Sequence, residues 1–310
     1  MAVASATALN RGIDDMTMIF GVPAVMFMGQ LMLGLINGAF YALLSLGLAV
    51  IFGLLKIVNF AHGAQYMLGA FVALLGLQYL GLDYWIAILL VPLVVGGLGI
   101  LIERFLLRRI AHLDHLYGLL LTFGLALIFE GTLVNFFGVS GARYPTPESL
   151  GGGFQLGFMF LPTYRAWVLA AAIGMCLATW FIIERTRLGA YLRAGTENQT
   201  LMQTFGVNMP LLITLTYGFG VALAAFAGVL AAPLYTVSPT MGSNLLVVVF
   251  AVVVIGGMGS IFGAIVTGLA MGLIEGLTKV YYPQAASTVI FVVMAMVLLL
   301  RPAGLFGKEA

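Results

Sequence analysis

Long apolar stretches separated by short clusters of charge dominate the chain. No charged residue occurs among the 26 positions between Lys56 and Asp83, the 19 between Asp83 and Glu103, the 18 between Arg165 and Glu184, or the 21 between Lys279 and Arg301. The interval from Glu197 to Glu275 runs to 77. A helix needs about 20 predominantly apolar residues to cross a bilayer. Only helices and closed barrels satisfy their backbone groups in lipid, and these runs lack the alternation of barrel strands. The pattern predicts an all-α, polytopic transmembrane helical bundle forming one domain over 1–310, with an N-terminal tail over 1–16. Coarse spans fall at 17–36, 38–58, 62–80, 85–103, 116–138, 166–183, 211–235, 243–276 and 286–301. About eight of these are expected as full crossings, with broken or re-entrant helices among the rest. The N-terminal run is longer than the apolar core of a signal peptide, and Asp14 and Asp15 separate it from Arg11, so an uncleaved first span is expected.

Composition narrows the class. Of 310 residues, 62% are hydrophobic and 8% charged, about a third of the charge of a soluble domain, and the mean hydropathy is +1.13. The formal net charge of +2 and the lack of a basic run argue against nucleic acid as a partner. Cys176, the single cysteine, sits in an apolar run and reads as a small buried hydrophobe. Basic residues set the orientation: Arg104, Arg108 and Arg109, then Arg185, Arg187 and Arg193, then Arg301 and Lys308 are expected on the cytoplasmic side. Arg143, Arg165 and Lys279 fall outside, leaving Arg11 and Lys56 unassigned. The outer loop 139–165 holds Pro145, Pro147 and Gly151-Gly152-Gly153, which exclude a continuous helix.

Two apolar stretches are interrupted. One reads Lys56-Ile-Val-Asn59-Phe-Ala-His62-Gly63-Ala-Gln65, and the other Ile255-Gly256-Gly257-Met258-Gly259-Ser260-Ile-Phe-Gly263. Breaks of this kind in the two halves of a membrane protein point to a transport pathway. Asn59, His62, Gly63, Gln65, Gly256, Gly257 and Gly259 are therefore the candidate pathway residues. A polar loop at the membrane surface is the plainer reading of the first group. Close helix packing is the plainer reading of the second, since Gly34–Gly38, Gly259–Gly263, Gly268–Gly272 and Gly272–Gly276 follow the small-xxx-small spacing. Glu130 and Glu275 lie in or near apolar runs, where a carboxylate is costly. Glu275 has Lys279 four residues on as a helical partner. A proton or cation relay in a transporter working alone is the competing reading of these acids. No phosphate-binding loop, metal-ligand spacing or nucleophile elbow is present; His112 and His115 read as solvated, and no cofactor, metal or catalytic residue is expected.

The segment 184–208 is basic and amphipathic, with Leu188, Tyr191 and Leu192 recurring at helical spacing and Met202 and Phe205 following. Such a helix can seat its apolar side in a partner's groove. Within it, Glu184-Arg-Thr-Arg-Leu-Gly189, Arg193-Ala194, Glu197-Asn198 and Phe205-Gly206-Val207 resemble the coupling loop of ABC-importer permeases of the branched-chain amino acid type, the LivH-like family. Asn37-Gly38-Ala-Phe-Tyr41-Ala42, Gly47 to Gly53, Ile57 to Gly63, Val254 to Ala264 and Arg301-Pro-Ala-Gly-Leu-Phe-Gly307 are similar to its other signatures. Gln65-Tyr66-Met67 and Thr200-Leu201-Met202 depart from its pattern. The resemblance implies the ABC-importer permease fold in the bacterial inner membrane. It implies a second, LivM-like permease subunit, two cytoplasmic ATPase subunits and a periplasmic substrate-binding protein as partners. Glu184, Arg185, Arg187, Gly189, Arg193, Ala194, Glu197 and Gly206 would then carry ATPase coupling. The implied solutes are leucine, isoleucine and valine, with urea, short amides or aromatic acids as the alternative within the same importer class.

Overall fold

The structure, a computed structural model, describes residues 18–19, 21–157 and 159–307. The tail 1–16, with Arg11, and Lys308 lie outside the described residues. Helices succeed one another as α1 (Ala24–Leu55), α2 (His62–Leu80), α3 (Tyr84–Ile102), α4 (His115–Phe137), α5 (Thr163–Arg185), α6 (Arg187–Glu197), α7 (Gln199–Thr204), α8 (Met209–Ala231), α9 (Met241–Gly256), α10 (Ile261–Tyr281) and α11 (Val289–Leu300). A π-helical turn, Glu103–Leu107, extends α3 to Ile110. Two short antiparallel hairpins complete the fold: β1 (Met18–Ile19) with β2 (Val22–Pro23), and β3 (Gly153–Gln155) with β4 (Phe160–Pro162). The second lies in the outer loop, which is tied to the α8–α9 connection by a backbone bridge between Ala142 and Val237.

Among the described residues seven helices are long and apolar enough to cross a membrane; α9 and α11 are shorter apolar helices. Two expected spans, 17–36 and 38–58, are instead the single helix α1, about 48 Å long for its 32 residues. The expected span 243–276 divides at the glycines into α9 and α10. The three basic segments expected on one side do share one end, joined there by Lys56.

α1 is the hub, packed against α5, α8, α9 and α10. Its best apolar stretch is 83% buried, against 11% for α4, which turns its apolar surface outward. Lipid tails are as apolar as leucine, so burial of apolar surface cannot drive helices together; close van der Waals approach must. Small residues provide it. A Cβ at Gly34 would stand 2.6 Å from the Gly272 carbonyl oxygen, and one at Gly38 2.9 Å from that of Leu269, so α1 and α10 touch backbone to backbone. A Cβ at Gly47 would likewise come 2.9 Å from the Gly220 carbonyl oxygen on α8. The small-xxx-small spacing expected of Gly34–Gly38, Gly268–Gly272 and Gly272–Gly276 is thus used for packing. Gly272→Ala should lower stability in detergent by ~1–3 kcal/mol through overpacking, whereas Gly97→Ala, with open space around it, should be near neutral in the same thermal unfolding assay.

Candidate functional site

α1 ends at Lys56, whose left-handed φ of 58° turns the chain back. Residues 57–61 then climb without helical structure, and α2 begins at His62 beside the middle of α1. His62 Nε2 lies 3.0 Å from the Leu44 carbonyl oxygen, so this nitrogen carries the proton and donates. Leu44 sits eleven residues before Leu55, about 16 Å along the helix, which is half of a hydrocarbon core ~30 Å thick. The first interruption therefore lies inside the bundle, against the middle of α1, rather than at the end of that helix.

Polar groups freed at that depth satisfy one another. Asn59 Nδ2 donates to Gln65 Oε1 at 2.9 Å, Gln65 Nε2 to the Tyr217 hydroxyl at 3.3 Å, and the Ala61 N–H to Asn59 Oδ1 at 3.1 Å. Thr122 Oγ1 accepts from the Phe60 N–H at 3.1 Å and donates to the Leu119 carbonyl at 3.0 Å. Asn59, His62 and Gln65 are each at most 1% exposed, so they stand inside this subunit and not on its surface. His62 Nδ1 is the atom of this group left without a partner. Gly63 abuts Gly242 backbone to backbone, which brings the start of α9 to the same depth as the start of α2. The two helices leave that point in opposite directions: α2 toward the outer connection at Gly81, α9 toward the inner turn at Gly257.

The second interruption lies at the end of the bundle that carries Lys56 and the amphipathic segment. Gly257 and Gly259 adopt φ of 97° and 85°, which side-chain-bearing residues rarely take. The carbonyls released at the end of α9 are capped by the C-terminal segment: Leu305 N–H donates to Ile255 at 2.8 Å and Phe306 N–H to Gly256 at 3.2 Å. Ser260 Oγ then caps α10 through the Gly263 N–H at 3.1 Å. Gly256 packs on Gly263, and Gly259 on Gly53.

Gly259 also lines a cavity of about 420 Å³ with Lys56, Glu184, Arg193, Glu197 and Phe306. The structure thus joins a glycine of the second interruption to three residues of the amphipathic segment. That segment forms α6, capped by the Thr186 side chain, and α7, capped by Asn198, and it ends at Asn208, which caps α8. Gly189 lets α6 lie directly on the Ile183 carbonyl, which also accepts from Arg193. Arg193 further pairs with Glu184 at 3.3 Å. Arg185 stacks over the Trp180 ring at 5.9 Å, Arg187 is exposed, Ala194 is half-buried, and Gly206 turns with φ of 82°. Leu188, Tyr191, Leu201 and Phe205 project outward, Phe205 at 75% exposure, while Leu192 faces the membrane domain. Of the expected apolar side, Leu188, Tyr191 and Phe205 thus face outward, whereas Leu192 turns inward, Met202 is half-buried and Leu201 joins the exposed group.

Three features escape sequence inspection. Thr122 and Tyr217 close the polar network from distant helices. Glu103, 2% exposed, accepts from Thr214 at 2.6 Å and pairs with Arg108 at 3.2 Å, and Arg108 donates to the Pro210 carbonyl at 2.8 Å. This bolt fastens α3 to the start of α8, beside the amphipathic segment. Asn37, Tyr41 and Ser45 form an i, i+4, i+8 stripe on α1: Tyr235 donates to Asn37 at 3.3 Å, Tyr41 to Glu275 at 2.7 Å, and Ser45 to the Val249 carbonyl at 3.3 Å. Glu275 has its expected partner, with Lys279 Nζ at 2.5 Å; Glu130 is half-buried.

Residues 30–300 match the family model described as the branched-chain amino acid transport system permease component. The high-affinity branched-chain amino acid transport system permease protein LivH of Escherichia coli K12 is 28% identical over 299 residues, covering 91% of this chain and 96% of LivH. BraD of Pseudomonas aeruginosa, a permease protein of the same description, is 30% identical over 297 residues with the same coverage. LivM of Escherichia coli K12 is 27% identical over 293 residues, covering 86% of this chain and 67% of LivM. No solved structure matches.

Asn59→Leu should strand the Gln65 side chain and the Ala61 N–H, costing ~1–3 kcal/mol in thermal unfolding. The double variant Asn59→Leu/Gln65→Leu should cost less than the sum of the two single changes. Additive losses would show that the two amides are not coupled.

Proposed function

Because this chain belongs to the branched-chain amino acid transport system permease family, we propose that it is one of two membrane subunits of an ATP-driven importer that carries leucine, isoleucine and valine inward. The second subunit is LivM-like; LivM itself is similar to this chain over most of its length. A periplasmic binding protein delivers the amino acid, and two cytoplasmic ATPases supply the work. The chain carries no G-x-x-x-x-G-K-[ST] loop, so its own residues offer no such means of holding ATP.

One observation carries the coupling part of this reading. The outward-facing Leu188, Tyr191, Leu201 and Phe205 sit on the inner end of the bundle among Arg185, Arg187 and Arg193. An apolar knob with a basic rim suits a groove on a soluble partner: the apolar side chains give affinity and the arginines steer the approach. The Ile183–Gly189–Arg193 contact joins α6 to the end of α5, and the 420 Å³ cavity lies between α6 and the glycine turn that starts α10. A push on α6 therefore reaches α5 and α10, both packed on the hub helix α1. Rigid-body rocking of packed helices is the standard way such a push opens one side and closes the other.

A lone, ion-coupled transporter would use a membrane carboxylate that gains and loses its cation during transport. Glu275 is held by both Tyr41 and Lys279, which favours a fixed structural pair.

Gly189→Val/Arg193→Ala should detach α6 from Ile183. In proteoliposomes holding the complete importer, this variant should insert normally and lose ATP-dependent leucine uptake down to the background rate. Uptake equal to that of the unaltered importer would overturn coupling through this segment.

A further inference from the structure

The cavity at the C-terminal end of α1 is built like a small-molecule site. Its volume of about 420 Å³ lies within the range of ligand pockets, roughly 300–1,000 Å³. Val50 and Leu54, 6% and 3% exposed, give it an apolar floor, and Phe262 and Phe306 meet edge to face at 5.4 Å on another wall. Gly53, Gly259 and Gly307 complete the lining without side chains to fill it. The charged groups around the cavity are two cations, Lys56 and Arg193, and two carboxylates, Glu184 and Glu197. Arg193 and Glu184 pair with each other at 3.3 Å. The Lys56 and Glu197 side chains form no ion pair or hydrogen bond among the described residues.

Two independent features bear on that unpaired cation and anion. Among the described residues, Lys56 is the only one other than glycine with a positive φ, 58°. A left-handed backbone is costly for a residue with a side chain and free for glycine, so an ammonium kept at this position has a use. The lining charges also cancel, two against two. A phosphate or a metal ion would meet as much repulsion as attraction there, whereas a molecule with one positive and one negative group is matched at both. The apolar floor asks that the same molecule carry a hydrocarbon side chain.

We propose that this cavity binds a free aliphatic α-amino acid. Lys56 takes its carboxylate, Glu197 its ammonium group, and Val50, Leu54, Phe262 and Phe306 its side chain. Arg193, bonded to the Ile183 carbonyl and to Glu184, holds α6 against the site. The cavity sits at the end of the bundle that carries the amphipathic segment. On the importer reading, on which the choice of ligand rests, it is a holding site on the side of release, distinct from capture by the binding protein.

The test is calorimetric titration of the purified importer, both permeases and both ATPases without the binding protein, with leucine, leucine amide and isocaproate. The amide lacks the carboxylate charge, and isocaproate lacks the amino group. Leucine should bind at least about tenfold tighter than either, the effect of one hydrogen bond to a charged group. Lys56→Met should abolish the preference over the amide and keep that over isocaproate, and Glu197→Gln should do the reverse. Lys56→Arg, which retains the charge, should keep both preferences. In the unaltered importer, a lack of leucine binding, as when an ATPase side chain fills the cavity, overturns the site, and so do equal affinities for the three ligands. Preferences that Lys56→Met and Glu197→Gln both leave intact overturn it as well. ATP-driven leucine uptake, measured in proteoliposomes with the binding protein restored, tests the underlying reading separately. Uptake without selective binding overturns the site and leaves the importer standing; selective binding without uptake upholds the site and overturns leucine as the cargo.

Discussion

The hydrocarbon core offers a backbone amide no water, and this constraint shapes every unusual feature of the molecule. A helix that starts or stops inside the bilayer must have its open end satisfied by protein or by a wet cavity. α2 starts there and surrounds its opening with Asn59, Gln65, Tyr217 and Thr122, all bonded to one another or to backbone. α9 starts beside it, where Gly242 meets Gly63 backbone to backbone.

On the proposed importer reading, the second half of the molecule serves to transmit force. The inner glycine turn, the C-terminal segment that caps it and the α6 helix converge around one cavity. Their contacts are mostly backbone to backbone: Gly189 on Ile183, Gly256 on Gly263, Gly257 on Gly307. Contacts of this kind move as units, because a packed interface has discrete arrangements and resists continuous deformation. The Glu103–Arg108–Thr214 bolt fastens α3 to α8. α1 touches both α6 and the start of α2.

Much of this was legible in the residues, for identifiable reasons. Charge-free runs of spanning length fixed the helical class, and glycines at four-residue spacing announced the α1–α10 contact. Asn59, His62 and Gln65 stood out because polar side chains inside apolar runs are costly. The hub helix was harder: Asn37-Gly38 looks like a loop between two spans. In the structure Asn37 accepts a hydrogen bond from Tyr235, and Gly38 sits where α10 touches the helix backbone. The start of α9 at Met241 lies two residues from the expected span start at 243, although Thr240, Ser243 and Asn244 interrupt hydropathy only weakly. Thr122, Tyr217 and Glu103 gain their roles from partners 62 to 152 residues away, which no local pattern encodes.

The central claim is that this chain is a gate without an engine. The direct measurement is leucine accumulation in liposomes holding the purified chain alone, with ATP or an ion gradient supplied, against liposomes holding the chain with its permease partner, both ATPases and the binding protein. The account predicts uphill accumulation only in the complete assembly and only with ATP. Sustained accumulation by the chain alone would contradict it.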